Sequence, residues 1–110
     1  MKEIKAVIQH SKLPKIRSAL RNIKGFQGMV VSEVEDSGEN LAMYKLGILE
    51  DFVNYSPKVL ITTVVPDHLA EGILHLLVEV GYSGRIGDGM VWVTPVERFV
   101  HLSEKITVLD

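Results

Sequence analysis

The 110-residue chain contains no cysteine, so disulfides, thiolate zinc sites and cysteine nucleophiles are excluded. It lacks a strong charge imbalance as well: 12 Lys and Arg face 14 Asp and Glu, for a formal charge of −2. No Lys/Arg cluster of the kind that follows a phosphate backbone stands out, and nucleic acid is not an expected partner. No apolar run approaches the roughly 18 residues of a membrane helix, so a membrane-embedded chain is not expected. The opening MKEIKAVIQH mixes charge into its apolar residues, unlike a signal peptide, and leads straight into a folded pattern. A cytoplasmic location is the expectation. There is no G-x-S-x-G elbow, no H-E-x-x-H helix and no carboxylate pair at a spacing that forces acid–base cooperation, so the chain is not expected to be an enzyme.

What is present suits one globular domain over residues 1–110: 46% of residues are hydrophobic and 24% charged. Ile4, Ala6 and Ile8 alternate with Lys5, Val7 and Gln9, the period of a strand. Ser11 is placed to cap a helix over about 12–24, in which Leu13, Ile16, Leu20 and Ile23 recur at helical spacing, with Pro14 in its first turn and Gly25 past its end. Met29 to Val34 reads as a second strand and Val59 to Val65 as a third. Pro66-Asp67 opens a second helix through Leu69, Ile73, Leu74, Leu77 and Val80 to Gly81. Met90 to Val93 forms a fourth strand with Trp92 read as core, and Val96 to Leu102 is a candidate short fifth.

The halves echo one another, Gly25-Phe26-Gln27-Gly28 before Met29-Val30-Val31 against Gly81-Tyr82-Ser83-Gly84 before Met90-Val91-Trp92-Val93. Two right-handed βαβ units then interleave into a ferredoxin-like βαββαβ plait, an α+β fold with a four-stranded antiparallel sheet and two helices on one face. The second face carries Val, Ile and Leu too and needs a cover, which oligomerisation supplies. Residues 35–57 form a connection far longer than the ~2 to 5 residues of a hairpin, and residues 103–110 a short tail.

Pro57-Lys58-Val59 opening a strand, a following helix, and Ser83-Gly84-Arg85-Ile86-Gly87-Asp88-Gly89 before a β-run resemble the P-II nitrogen regulatory family. Leu13, Arg17, Ala19, Leu20, Gly28 and Val31-Ser32-Glu33-Val34 are similar too, and the resemblance spans about residues 1–102. It implies a homotrimer whose sheets pack into a central barrel, signal transduction in nitrogen regulation, and a protruding loop that docks on a target such as a transporter, channel or enzyme. In this chain that loop carries Leu41, Met43, Tyr44, Leu46, Ile48 and Phe52. It is either a buried extension of the neighbouring strands or an adhesive surface for a partner.

The resemblance further implies an adenine nucleotide, AMP, ADP, ATP or a cyclic nucleotide, in clefts between subunits. Those clefts would be lined by Val7, Val30, Asp36, Ser37, Gly38, Lys58, Thr62, Thr63, Val64, Gly87, Asp88, Gly89, Met90 and His101, with Arg85 as a nearby fixed charge. Closely spaced glycines suit such a role because backbone N–H groups can approach a phosphate with no Cβ in the way. The chain departs from the family at Met90, His101 and Ser103, where a lysine and two arginines are typical. Each lost charge-assisted contact is worth roughly 1.5–3 kcal/mol, so triphosphate binding is weakened. Asn40, Glu35 and Glu39 replace the glutamine and basic residues that serve magnesium and 2-oxoglutarate, and Asp51 stands at the tyrosine that some members uridylylate.

His68 and His75 read as surface or satisfied core positions. His10 and His101 are the weak metal candidates, since both flank the presumed cleft. They sustain a second reading, a metal-binding or metal-tolerance trimer like the CutA-type proteins that share this plait.

Overall fold

The computed structural model describes residues 1–35, 57–85 and 87–103. Among the described residues four strands and two α-helices follow one another: β1 (Lys2–Gln9), α1 (Leu13–Arg21), β2 (Val30–Val34), β3 (Lys58–Val65), α2 (Asp67–Gly81) and β4 (Gly89–Pro95). The sheet order is β2-β3-β1-β4, with all three pairings antiparallel. This is the expected ferredoxin-like plait.

Alternation along the strands separates the two faces. Ile4, Ala6 and Ile8 of β1 and Val59, Ile61 and Val65 of β3 are buried beneath the helices, where Ile16 and Leu20 of α1 and Ala70, Ile73 and Leu77 of α2 meet them. The helical contributors recur three and four residues apart, so each helix presents one apolar stripe. Removing each such Ile or Leu from water stabilises the fold by roughly 1.5–3 kcal/mol. The opposite face carries rows such as Val30–Thr62–Lys5–Trp92 and Ser32–Leu60–Val7–Met90. Val30, Met90 and Trp92 are 66%, 57% and 39% exposed there, so among the described residues nothing covers this apolar face.

Four sequence expectations are corrected. Ser11 does not cap α1, because it lies inside a 3₁₀ turn (His10–Lys12) that leads directly into the helix, whose N-cap position is Lys12 with no side-chain cap. The helix closes at Arg21, not near 24: Ile23 N–H bonds the Leu20 carbonyl at 3.0 Å and Phe26 N–H the Ile23 carbonyl at 3.1 Å, the tighter bonding of a terminating turn. Residues 96–103 add no fifth strand; Val96 N–H donates to the Met1 carbonyl at 3.1 Å and the segment then leaves the sheet. Trp92 is not in the helix-side core, because its register partner is Lys5, on the open face.

Candidate functional site

One end of the open face collects several of the expected residues. Antiparallel register sets Val7 beside Met90 and Leu60, Ile8 beside Gly89, and Gln9 beside Lys58. The α2–β4 loop closes over this end. A Cβ built on Gly87 would stand 3.9 Å from Lys58 Nζ, so the glycine loop and the ammonium that open two different elements meet here. Lys58 is only 4% exposed, the environment of a lysine whose stem is packed and whose head has found partners.

Two glycines are demanded by backbone geometry. Gly89 has φ +116°, and a Cβ there would fall on the Val7 carbonyl oxygen and lie 2.9 Å from its carbon. Gly87 has φ +94°, a conformation that side-chain-bearing residues rarely adopt. The first requirement belongs to the sheet, since β4 can start against β1 only without a side chain. The second leaves room beside Lys58.

The remainder of the motif is organised by Asp88. Its carboxylate accepts the Ser83 hydroxyl, the Ser83 N–H at 2.8 Å and the Gly84 N–H at 3.2 Å, which folds the loop back on itself. Partial burial raises the Asp88 pKa, but the Ser83 hydroxyl, the two loop N–H groups and the Lys12 charge outweigh it and hold the carboxyl below its ordinary value. The Ser83 and Gly84 amides are therefore engaged by the loop's own carboxylate. The Gly87 end of the motif lies beside Lys58 instead. Arg85 is exposed at the tip of the same loop.

The remaining expected residues form a second group further along the strands. Val30 pairs with Thr62, and Val64 shares their face. Thr63 faces the other way: it is 3% exposed and its hydroxyl donates to the Gly28 carbonyl at 2.7 Å, fixing the approach to β2. His101 Nε2 bonds Gln27 Oε1, and the His101 ring meets Phe99 edge to face at 4.8 Å. His10 is exposed in its turn, with its N–H on the Pro57 carbonyl at 2.9 Å. Among the described residues no three His, Cys, Asp or Glu side chains gather to hold a metal. Asp36, Ser37 and Gly38, and the loop residues Leu41, Met43, Tyr44, Leu46, Ile48 and Phe52, lie outside the described residues.

Lys58 and Val64 are six positions apart on one strand, about 20 Å. The two groups of expected residues thus stand well apart along the sheet. A cleft of about 150 Å³ lies nearby on the helix side, where Val78 and Tyr82 at the end of α2 meet Ala6, Ile8 and Val91 of β1 and β4; Lys58 and Gly87 do not line it, and it is small against the ~300 Å³ or more of a typical ligand pocket. Sequence reasoning missed Val78 and Tyr82, exposed by 51% and 70% at the rim. Their signal was present in the spacing, because Val78 precedes Tyr82 by one helical turn at the end of α2.

Among the described residues no helix is long and apolar enough to cross a membrane. The chain matches the family described as nitrogen regulatory protein P-II over residues 1–105. It is 35% identical over 103 residues to a nitrogen regulatory protein P-II of Azospirillum brasilense and 36% identical over 103 residues to one of Haemophilus influenzae, in both cases covering 93% of this chain and 91% of the relative. A nitrogen regulatory protein P-II of Rhizobium meliloti is 32% identical over 111 residues, covering 100% of this chain and 98% of the relative. Strand order, the glycine loop and these matches agree: the chain belongs to the nitrogen regulatory protein P-II family.

Proposed function

We propose that this regulatory signalling protein binds an adenine nucleotide in clefts between the subunits of a homotrimer, and that the bound nucleotide governs how residues 35–57 engage a target protein. P-II proteins are regulators, and trimers are typical of the family. The observation that carries the reading is the meeting of Lys58 Nζ with Gly87 at one end of the open face. A buried cation beside a glycine suits an anionic phosphate. The separation of the two groups supports a shared site, in which the Lys58–Gly87 end of one subunit faces the Val30–Thr62–Val64 end of its neighbour across the barrel. Val30, Met90 and Trp92 supply the apolar contact that would hold the subunits together. A metal-binding trimer finds no comparable support: the His101 ring is bonded to Gln27, and neither His101 nor His10 joins a ligand cluster among the described residues.

Met90, His101 and Ser103 set the ligand preference. With three cations missing, ATP gains little over ADP or AMP. The test is calorimetric affinity for ATP and ADP in the native protein and in Met90→Lys. The reading expects a native ATP to ADP ratio near unity and a shift of about tenfold or more toward ATP in the variant. An unchanged ratio in Met90→Lys would remove position 90 from the site.

A further inference from the structure

A second cleft, on the helix side of the β2 edge, has a charge pattern that the proposed nucleotide site does not use. It encloses about 360 Å³ between α1 and the approach to β2 and is lined by Arg17, Arg21, Phe26, Gln27, Met29 and Val31. Val31 alternates with Val30, so this cleft opens on the opposite face of the sheet from Val30, Thr62 and Val64.

Arg17 and Arg21 are one helical turn apart, both exposed, and among the described residues neither forms an ion pair with a carboxylate. From residue 4 to residue 32 the chain has Lys5, Lys12, Lys15, Arg17, Arg21 and Lys24 and no acid at all, although its net charge is −2. Helix physics opposes this arrangement: like charges four residues apart repel, and α1 has Lys15 but no acid in its first turn, where the dipole favours negative charge. Local rules broken with no compensating contact among the described residues are expected at functional or strained positions. Two guanidinium forks one turn apart suit the oxygens of a single phosphate or carboxylate. Phe26, Met29 and Val31 add an apolar wall, and the volume falls in the range of small-molecule pockets.

We infer that the Arg17–Arg21 cleft is a binding site for a small molecule carrying a phosphate or carboxylate on an apolar body. It is separate from the proposed nucleotide cleft, and the His101–Gln27 bond links the two, because Gln27 lines the first and His101 is a candidate of the second.

The experiment is an NMR titration of the full chain with phenyl phosphate, phenylacetate and, as the uncharged control, benzyl alcohol, observing backbone amides of residues 26–31 and the arginine Nε–H signals. The inference expects saturable shifts at these positions with either charged probe, which of the two binds naming the headgroup, and none with benzyl alcohol. Arg21→Gln weakens binding about tenfold or more and the double variant Arg17→Gln/Arg21→Gln abolishes it, while Lys15→Gln leaves it unchanged. Both arginines are exposed, and thermal melts of the variants verify that the fold is kept. Shifts spread evenly over Lys12, Lys15 and Lys24, failure of both charged probes to saturate, or binding that survives the double variant would each overturn it.

Discussion

Gly89 and Val7 touch backbone to backbone: the space a Cβ at residue 89 would need is held by the Val7 carbonyl. The contact joins the start of β4 to the strand that carries the core residues Ile4, Ala6 and Ile8. A glycine that reads in sequence as part of a ligand loop is thus a structural requirement of the sheet. Gly89→Ala should cost at least about 1–3 kcal/mol from backbone strain alone, lowering the thermal midpoint by roughly 5 °C or more. Gly87→Ala has no backbone in its way and should cost less. Melting curves of the two variants, side by side, check the ranking; equal midpoints would contradict it.

Asp88 makes the loop sensitive to acid. Its folded-state pKa is depressed, so its contribution is complete above the ordinary carboxylate value near 3.9 and is lost as pH falls through the lower folded value. The Ser83 and Gly84 amide signals should therefore move together at a midpoint below that ordinary value. In Asp88→Asn they should not titrate with pH in that range. A midpoint at or above the ordinary value would contradict the assignment of those hydrogen bonds.

The proposed assembly rests on the open face. Trp92→Asp and Val30→Glu each set a charge among apolar side chains that a trimer must bury, and both should convert trimer to monomer by light scattering while circular dichroism keeps its helical signal. The tryptophan should also emit at shorter wavelength in the native trimer than in the Val30→Glu protein. A trimer that survives both substitutions would locate the interface elsewhere.

The helix-side core answers to ordinary cavity energetics. Ile16, Leu20 and Ile73 are fully buried, so truncating any of them to alanine should destabilise the fold by about 2–5 kcal/mol. Thr63→Val removes the hydroxyl that satisfies the Gly28 carbonyl and should cost about 1–3 kcal/mol. Denaturant titration reads both, and a change below about 0.5 kcal/mol in either class would mean that these contacts are not formed as described.

Much of this was legible in the residues, for physical reasons that differ from place to place. Ile4-Ala6-Ile8 and Ile16-Leu20 declare their period because burial repeats along an element. Trp92 was misplaced because the run from Met90 to Val93 is apolar at both parities, so only register against Lys5 decides its face. Ser11 has the chemistry of a cap, but the chain turns through 3₁₀ geometry before the helix begins. In the loop the glycines were readable, whereas the capture of Ser83 by Asp88 depends on how the loop closes. The Arg17–Arg21 cleft needs the β2 edge beside α1, a juxtaposition that sequence spacing does not contain.

The central claim is that a nucleotide binds beside Lys58 and Gly87. It is tested most directly by calorimetric titration of the purified protein with AMP, ADP, ATP and cyclic AMP, with and without magnesium and 2-oxoglutarate, in parallel with Gly87→Val. The account predicts saturable binding of at least one of the four at one nucleotide per subunit, weakened about tenfold or more in Gly87→Val while the trimer persists. Absence of binding across the panel, or a Gly87→Val protein that binds as tightly as the native one, would contradict it.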